Sequence, residues 1–330
     1  MATIYDIASA LGVSPSTVSR ALRDGGGLNP ETTAAIRSEA RRQGYRPGKR
    51  ALRHGSAVAI LCPEVKSGFY ARIVTTLSSQ LSEGGYRASI FLTDFRRERE
   101  EELLRTLPEQ GYSGILCLTE SRELGPALEE GIRTREIPVV QIGMSAPPGS
   151  YDNVRVDEQA GIHAALSHLM ELGHRRIAFL GGKYSDTRRD CFCAEAEALG
   201  IGGDVLVRTA STVNMECGYE LADGLVREDE LPTAVLAEYD GVALGAIRRF
   251  GEAGISVPGD ISVVGFDDAD WCSFLTPSLT TVYSHSDPMC EIASSMLLKK
   301  LMDPTFRTVQ NIQIIPDLII RDSTAAPRRE

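Results

Sequence analysis

From Ala57 onward the chain repeats one pattern: a short, nearly continuous apolar run, a helical stretch of roughly 12–16 residues, then another run. The apolar runs are Val58–Cys62, Ala88–Leu92, Ile115–Leu118, Val139–Ile142, Ile177–Leu180, Val205–Val207, Val235–Ala237 and Ile261–Val264. A strand that is apolar along its whole length is buried on both faces. That requires a parallel sheet with helices on either side. So many βα units exceed one ordinary domain and predict two doubly wound lobes. The first 46 residues break the pattern, because they hold helix signals and no strand. The expected fold class is therefore α/β, with an all-α head on a two-lobed, parallel-sheet body.

Within the head, Ile4, Ile7, Ala8 and Leu11 recur at helical spacing over Thr3–Leu11. Gly12 ends that helix, since glycine enters the left-handed turn without steric cost. Ser14 then offers an N-cap oxygen and Pro15 suits the first helical position. The second helix runs Pro15–Leu22 with Val18, Ala21 and Leu22 inward. Asn29 caps a third, with Pro30 at its start, Ile36 and Ala40 inside and Gly44 at its end. A helix, a glycine turn and a capped second helix form a helix-turn-helix, whose second helix can lie in the major groove. Its outward side chains are Pro15, Ser16, Thr17, Ser19 and Arg20. Ser16 and Arg20 share a face, and Arg20 can read a guanine through a two-pronged hydrogen bond. Ser14, Thr17 and Ser19 suit phosphates, which fix register. Thr3, Asn29 and Tyr45 complete the expected contact set of the three helices.

Charge supports this division. The net charge is −10, yet residues 1–56 hold nine Lys/Arg against four Asp/Glu, and the remainder holds 26 against 41. A basic head on an acidic body points to a nucleic-acid module joined to something else. The seven cysteines are scattered and odd in number, and they read as reduced thiols of a cytosolic protein. No zinc spacing, charged-then-apolar leader or membrane-length apolar run occurs. A cytoplasmic location is expected.

The same residues carry a resemblance. Asp6-Ile7-Ala8, Gly12-Val13-Ser14, Thr17-Val18-Ser19-Arg20 and Gly44-Tyr45-Arg46-Pro47 are similar to the head of the lactose-repressor/galactose-repressor (LacI/GalR) family of bacterial transcription regulators. The likeness continues through Val156-Asp157, Leu172-Gly173-His174-Arg175-Arg176-Ile177, Val257-Pro258 and Val263-Val264-Gly265-Phe266-Asp267-Asp268. It ends with Pro277-Ser278-Leu279-Thr280-Thr281 and Leu318-Ile319-Ile320-Arg321. The resemblance implies a body like the periplasmic sugar-binding proteins, with two lobes joined by three crossovers and a small molecule between them. Lobe one would be about Ala57–Arg155 with a return near His285–Asn311. Lobe two would be about Val156–Ser284 with the final strand. It also implies a homodimer, or a tetramer, on near-palindromic double-stranded operator DNA.

The chain departs from that pattern in the linker, PGKRALRHGS. Gly48 stands where the family usually has Asn, and two residues fewer separate Pro47 from Leu52. Leu52 is the one linker residue large and apolar enough to wedge a minor groove. Lys49, Arg50 and Arg53 suit phosphates or a narrow groove. The segment is either a hinge helix or a flexible basic tether.

Effector residues follow from the resemblance. Arg188, Asp157, Asp240 and Asp267 match recurrent cleft positions, and Phe69 and Tyr70 match an aromatic pair near the ligand. Such acids with an arginine suit a polyhydroxylated ligand. Asp157 could instead cap the helix after it, Phe69 could be core, and Asp267 could bind only backbone. Trp271, the sole tryptophan, either stacks on a sugar or packs its loop. Tyr239 replaces a frequent Asn, Val213 a frequent aromatic, and Ser284 a longer polar side chain. These changes leave open a purine, another nonsugar effector or a phosphoprotein partner.

The resulting expectation is a ligand-controlled DNA-binding repressor without cofactor. Its parts are a head at 1–46, a basic linker at 47–56, an effector and dimerisation domain at 57–323, and a tail at 324–330. The rival reading is a solute-binding protein, cytosolic or transport-linked, without gene-regulatory output. An enzyme is not expected. Gly181-Gly182-Lys183 lacks phosphate-loop spacing, no nucleophile–His–acid set is present, and His163, His168 and His174 share no helical face.

Overall fold

A computed structural model describes residues 4–14, 17–18, 21–22, 29–43, 57–119, 137–143, 151–182 and 186–328. The chain divides into two compact units, Met1–Ser56 and Ala57–Glu330.

In the first unit, α1 (Ile4–Leu11) and α2 (Pro30–Arg42) flank a segment in which Thr17, Val18, Ala21 and Leu22 are helical. Ile7, Ala8, Val18, Ala21, Ile36 and Ala40 form one buried cluster, edged by Leu11, Val13 and Leu22. Each is an inward position of the amphipathic pattern. Arg37 of α2 donates to the Ala21 carbonyl at 3.3 Å, which ties the middle segment to the last helix.

The second unit contains two six-stranded sheets. The first has the order β11-β5-β4-β3-β1-β2. Its strands are β1 (Ala57–Cys62), β2 (Arg87–Leu92), β3 (Gly114–Thr119), β4 (Val139–Gly143), β5 (Asp152–Val156) and β11 (Asn311–Ile314), and all its pairings are parallel. Helices α3 (Gly68–Glu83) and α9 (Ser286–Met302) bury Ile73, Leu77, Leu81, Met289, Ala293 and Leu297 against one face. On the other face, α4 (Arg97–Thr106) contributes Leu103 and Leu104.

The second sheet has the order β12-β10-β9-β8-β6-β7. It comprises β6 (Ile177–Gly182), β7 (Val205–Ala210), β8 (Ala234–Ala237), β9 (Ser262–Phe266), β10 (Thr280–Tyr283) and β12 (Asp317–Ile319). Only the β10–β12 pairing is antiparallel. Helices α5 (Glu158–Glu171) and α6 (Asp186–Ala198) cover one face, and α7 (Met215–Val226) and α8 (Asp240–Glu252) cover the other.

The chain passes between the lobes three times: after β5, after β10 and between β11 and β12. The crossings are stitched together, since Asp157 N–H donates to the Ile314 carbonyl at 2.8 Å and His285 bonds Asp317 at 2.9 Å. Val156 ends a strand of lobe one, so the first crossing follows it rather than preceding it. The return also extends to Ile314, past Asn311.

His174, just beyond the end of α5, is buried, with Nδ1 at 2.9 Å from Thr233 Oγ1 and Nε2 at 2.8 Å from the Ala325 carbonyl. The final segment is held in place by that ring, by His168 on Thr324 and by the buried Ser323 hydroxyl on the Val263 carbonyl. Burial keeps both imidazole pKa values below the usual histidine range.

Candidate functional site

In the head, the turn between the first two helices is closed as its residues dictate. Gly12 has φ of +64° and Val13 N–H reaches the Ala8 carbonyl at 3.1 Å. Ser14 Oγ accepts from Thr17 N–H at 3.1 Å, and the two hydroxyls lie 2.8 Å apart. Asn29 Oδ1 accepts from Glu31 N–H at 2.8 Å and caps α2. Ser14, Thr17 and Asn29 thus spend hydrogen bonds on local caps while Ser14 and Asn29 stay exposed. Thr3, Pro15, Ser16, Ser19, Arg20, Tyr45, Lys49, Arg50, Leu52 and Arg53 lie outside the described residues.

In the body, a recess opens at the carboxyl ends of the strands, where open α/β sheets place their ligands. Lobe one contributes an apolar wall, led by Phe69, Tyr70 and Ile73 of α3 and Met289 of α9. The Phe69 and Tyr70 rings meet edge to face with centroids 5.2 Å apart. Ser67 caps α3 and so fixes where this pair stands. Lobe two contributes Arg188, Asp267 and Ser284.

Arg188 is fully buried, and its guanidinium organises lobe two's side of the recess. Nε donates to Glu158 Oε2 at 2.6 Å, Nη1 to the Glu238 carbonyl at 2.5 Å, and Nη2 to Asp267 Oδ1 at 3.1 Å. Its plane is flanked by the rings of Phe266 and Tyr239, whose centroids lie 3.6 and 4.6 Å from Cζ. Burial alone would pull its pKa down, but the carboxylates of Asp267 and Glu158 more than offset that and hold it charged. Asp267 sits at φ of +102° on the turn after β9, with its N–H on the Val282 carbonyl at 2.7 Å. Burial pushes its pKa up against the pull of Arg188. Ser284, at the second crossing, is 1% exposed and its hydroxyl lies beside the Asp267 carboxylate.

The expected residues therefore separate. Phe69, Tyr70, Arg188 and Asp267 meet at the recess. Asp157 caps α5, accepting from Ala160 N–H at 3.0 Å, and does not line the recess; the next acid, Glu158, meets Arg188. Tyr239 lies behind Arg188 as a stacking face. Trp271 packs against the lobe-two core rather than the ligand space. Asp240 is an internal brace, since its Oδ1 takes the Thr281 hydroxyl at 2.5 Å and its Oδ2 takes Ala269 N–H at 2.7 Å. It thereby secures the turn that carries Asp267. Gly265 has no space for a Cβ because Asp240 occupies it.

Glu158 and Glu238 were missed. Glu158 looked like an ordinary first-turn acid, favoured there by the helix dipole. Glu238 carried a usable signal, a charge placed directly after the buried run Ala234–Ala237. The Gly181-Gly182 pair exists for it: Gly182 N–H donates to its carboxylate, and a Cβ on Gly181 would collide with that side chain.

Across the mouth, Arg72 of α3 donates from Nη1 to Asp270 of lobe two at 2.7 Å, and from Nε and Nη2 to Asp287 at 3.0 and 2.5 Å. The Arg72 hydrogen bonds hold Asp287's pKa below the usual carboxylate range. Asp270 is 85% exposed, so this bridge between lobes is a surface contact worth little on its own.

Asp240 gives a pH prediction. Burial, then the charge of Asp267, raises its pKa to about 7 from 3.8. A raised acid binds its proton more tightly in the folded state. Its contribution is complete below the unfolded pKa and declines as pH rises toward 7, by up to about 4 kcal/mol. Asp240→Asn removes that titration and can still satisfy Thr281 and Ala269. Urea unfolding at pH 5 and pH 8 should show the variant gaining on the parent as pH rises. Equal pH slopes would refute the assignment.

A family model described as bacterial regulatory proteins, lacI family, matches residues 3–48, and one described as a periplasmic binding protein-like domain matches 166–324. The HTH-type transcriptional regulator DegA of Bacillus subtilis (strain 168) is 30% identical over 335 residues, spanning 98% of each chain. The ribose operon repressor of Escherichia coli (strain K12) is 27% identical over 332 residues, covering 98% of this chain and 100% of its own. The crystal structure of the lac repressor dimer bound to operator and the anti-inducer ONPF has a TM-score of 0.73 at 22% identity, covering 98% of this chain and 99% of that one.

Proposed function

The chain belongs to the LacI family of bacterial regulatory proteins, and on that premise we propose that a carbohydrate-type ligand held between its lobes sets its grip on an operator. The protein is a DNA-binding transcriptional regulator and not an enzyme. The observation that carries the ligand half of the reading is the recess itself. An aromatic pair on lobe one faces a buried Arg188–Asp267 pair on lobe two, and three crossings let the lobes pivot about it. A sugar ring offers apolar C–H faces to the first and hydroxyls to the second.

In this reading Arg20, with Pro15 and Ser16, reads bases, while Thr3, Ser14, Thr17, Ser19, Asn29 and Tyr45 hold the backbone. Lys49, Arg50, Leu52 and Arg53 couple head to body. The working form is a homodimer, whose two-fold axis matches two half-sites. The location proposed with this function is the cytoplasm; separately, no described helix is long and apolar enough to cross a membrane. Ligand and operator are coupled reciprocally: whatever the ligand does to operator affinity, the operator does to ligand affinity.

The test starts with selection of a binding site from randomised duplexes by the full-length protein. A near-palindromic sequence is expected, and Arg20→Ala should weaken binding to it by roughly 5- to 150-fold, the equivalent of about 1–3 kcal/mol for a lost base contact. Affinity for the site should then shift when sugars are added. No selected site, or a site bound equally by the variant, would defeat the DNA half. An operator affinity unmoved by any ligand that binds would defeat the control half.

A further inference from the structure

Resting on the reading of the recess as the effector site, we infer that Arg72 and Asp270 form a latch that holds the two lobes shut over a bound effector and slows its release. The first observation is where the two ends stand. Arg72 lies on α3 within one turn of Phe69, Tyr70 and Ile73, which belong to lobe one's wall of the recess. Asp270 lies three residues past Asp267, the carboxylate of lobe two's wall. The bond of 2.7 Å from Arg72 Nη1 to Asp270 Oδ1 therefore joins the two segments between which the ligand space opens. A hydrogen bond no longer exists at 3.6 Å, so parting these segments by about 1 Å unmakes the contact.

The second observation is how each end is mounted. Nε and Nη2 of Arg72 are both spent on Asp287 of α9, in the same lobe, at 3.0 and 2.5 Å. The Thr76 hydroxyl steadies that carboxylate at 3.4 Å. Because the guanidinium is planar and rigid, a fork held on Asp287 fixes the direction of Nη1, and that direction is lobe two. On the far side, Ala269 N–H is pinned by Asp240 at 2.7 Å, and the Ala269 carbonyl accepts from Cys272 N–H at 2.8 Å. The backbone on both sides of Asp270 is thereby set. An ordinary exposed ion pair gives back much of its attraction in ordering two long side chains. Here the ordering is already made within each lobe, and closure adds only the last bond. Such a bond shifts the ratio of closed to open forms by about 1.4- to 5-fold, the equivalent of about 0.2–1 kcal/mol for an exposed pair.

The experiment begins with the full-length protein alone. Trp271, the sole tryptophan, adjoins Asp270 and is half-buried, so its fluorescence reports on this loop. Asp270→Lys sets a like charge against Arg72, whereas Asp270→Glu keeps the pair. Asp270 is 85% exposed, so both variants should fold as the parent does. Asp270→Lys should enlarge the radius of gyration in small-angle X-ray scattering and raise acrylamide quenching of Trp271. Arg72→Gln, on the opposite lobe, should raise the quenching too, and Asp270→Glu should match the parent in both measurements. Unchanged compactness in Asp270→Lys overturns the latch, whatever the quenching does. Stopped-flow release of ribose, glucose and galactose follows. For whichever of them binds, Asp270→Asn should speed dissociation by about 1.4- to 5-fold, and an unchanged rate also overturns the latch. Should none of the three bind, scattering alone decides it. The wider reading is judged separately, by whether a sugar that binds also shifts operator affinity.

Discussion

Replacing Arg188 by Met should cost about 3–5 kcal/mol of folding stability and abolish the response to ligand. The guanidinium is fully buried and satisfies Glu158, Asp267 and the Glu238 carbonyl at once. Methionine fills much of the volume between Phe266 and Tyr239, so the loss is one of charge and hydrogen bonds rather than of packing. What remains is a group of buried carboxylates with their counter-ion gone. The pKa of Asp267, already raised by burial, then rises further because the opposing pull of Arg188 is lost. Raised acids contribute stability at low pH that fades as pH climbs through their folded pKa, so the defect should be milder at pH 5 than at pH 8. Arg188→Lys should recover part of the stability, since it restores charge without the planar fork. Urea unfolding at both pH values reads the effect. A loss below about 1 kcal/mol, or one independent of pH, would mean that the network does not bear on folding.

The alternation of apolar runs and helices was enough to predict both sheets: the central strands are buried on two faces and carry no polar positions to confuse the pattern, while the apolar run of β2 forms an edge strand whose Ile90 and Leu92 stay exposed. Four strands were invisible for the opposite reason. Asp152–Val156, Thr280–Tyr283, Asn311–Ile314 and Asp317–Ile319 are short and carry Asp, Asn, Thr or Gln. All four abut the crossings, where strand residues also serve the passage between lobes. Thr280 and Thr281 are wholly buried, yet their hydroxyls are committed to the chain's final segment and to Asp240. A pattern of hydrophobicity cannot report that kind of burial.

The site was legible where chemistry and position coincide, and it failed where a neighbour takes over the role. Arg188 and Asp267 fit both, and they meet. Asp157 has the right chemistry but lies one residue early, so the helix that begins at Glu158 turns the next side chain toward Arg188 instead. Asp240 has the right chemistry on the wrong side of the turn, where it supports Asp267 without reaching the recess. Three-dimensional facing of this sort depends on which residue starts a helix, and caps leave that uncertain by one or two positions.

Gly245→Ala and Gly218→Ala should each cost about 3 kcal/mol, at or beyond the upper end of ordinary overpacking. Helices α7 and α8 cross where these glycines sit. A Cβ on Gly218 would overlap the Val242 carbonyl, and a Cβ on Gly245 would overlap the Met215 carbonyl and the Tyr219 amide. These are backbone atoms, so no side-chain rotation relieves the clash and the helices must separate. Separation opens the buried contacts of Ala222, Leu225, Val242 and Ala246, and the lost dispersion adds to the strain. The effect also reaches the ligand. The first residue of α8 is Asp240, and the turn it braces carries Asp267. A variant that still folds should therefore lose effector affinity although Gly245 lies outside the recess. The double variant should cost less than the sum of the two, because one outward shift of the helices relieves both collisions. Chemical denaturation of the two single variants and the double variant checks this. Strict additivity would show that the two clashes are relieved independently.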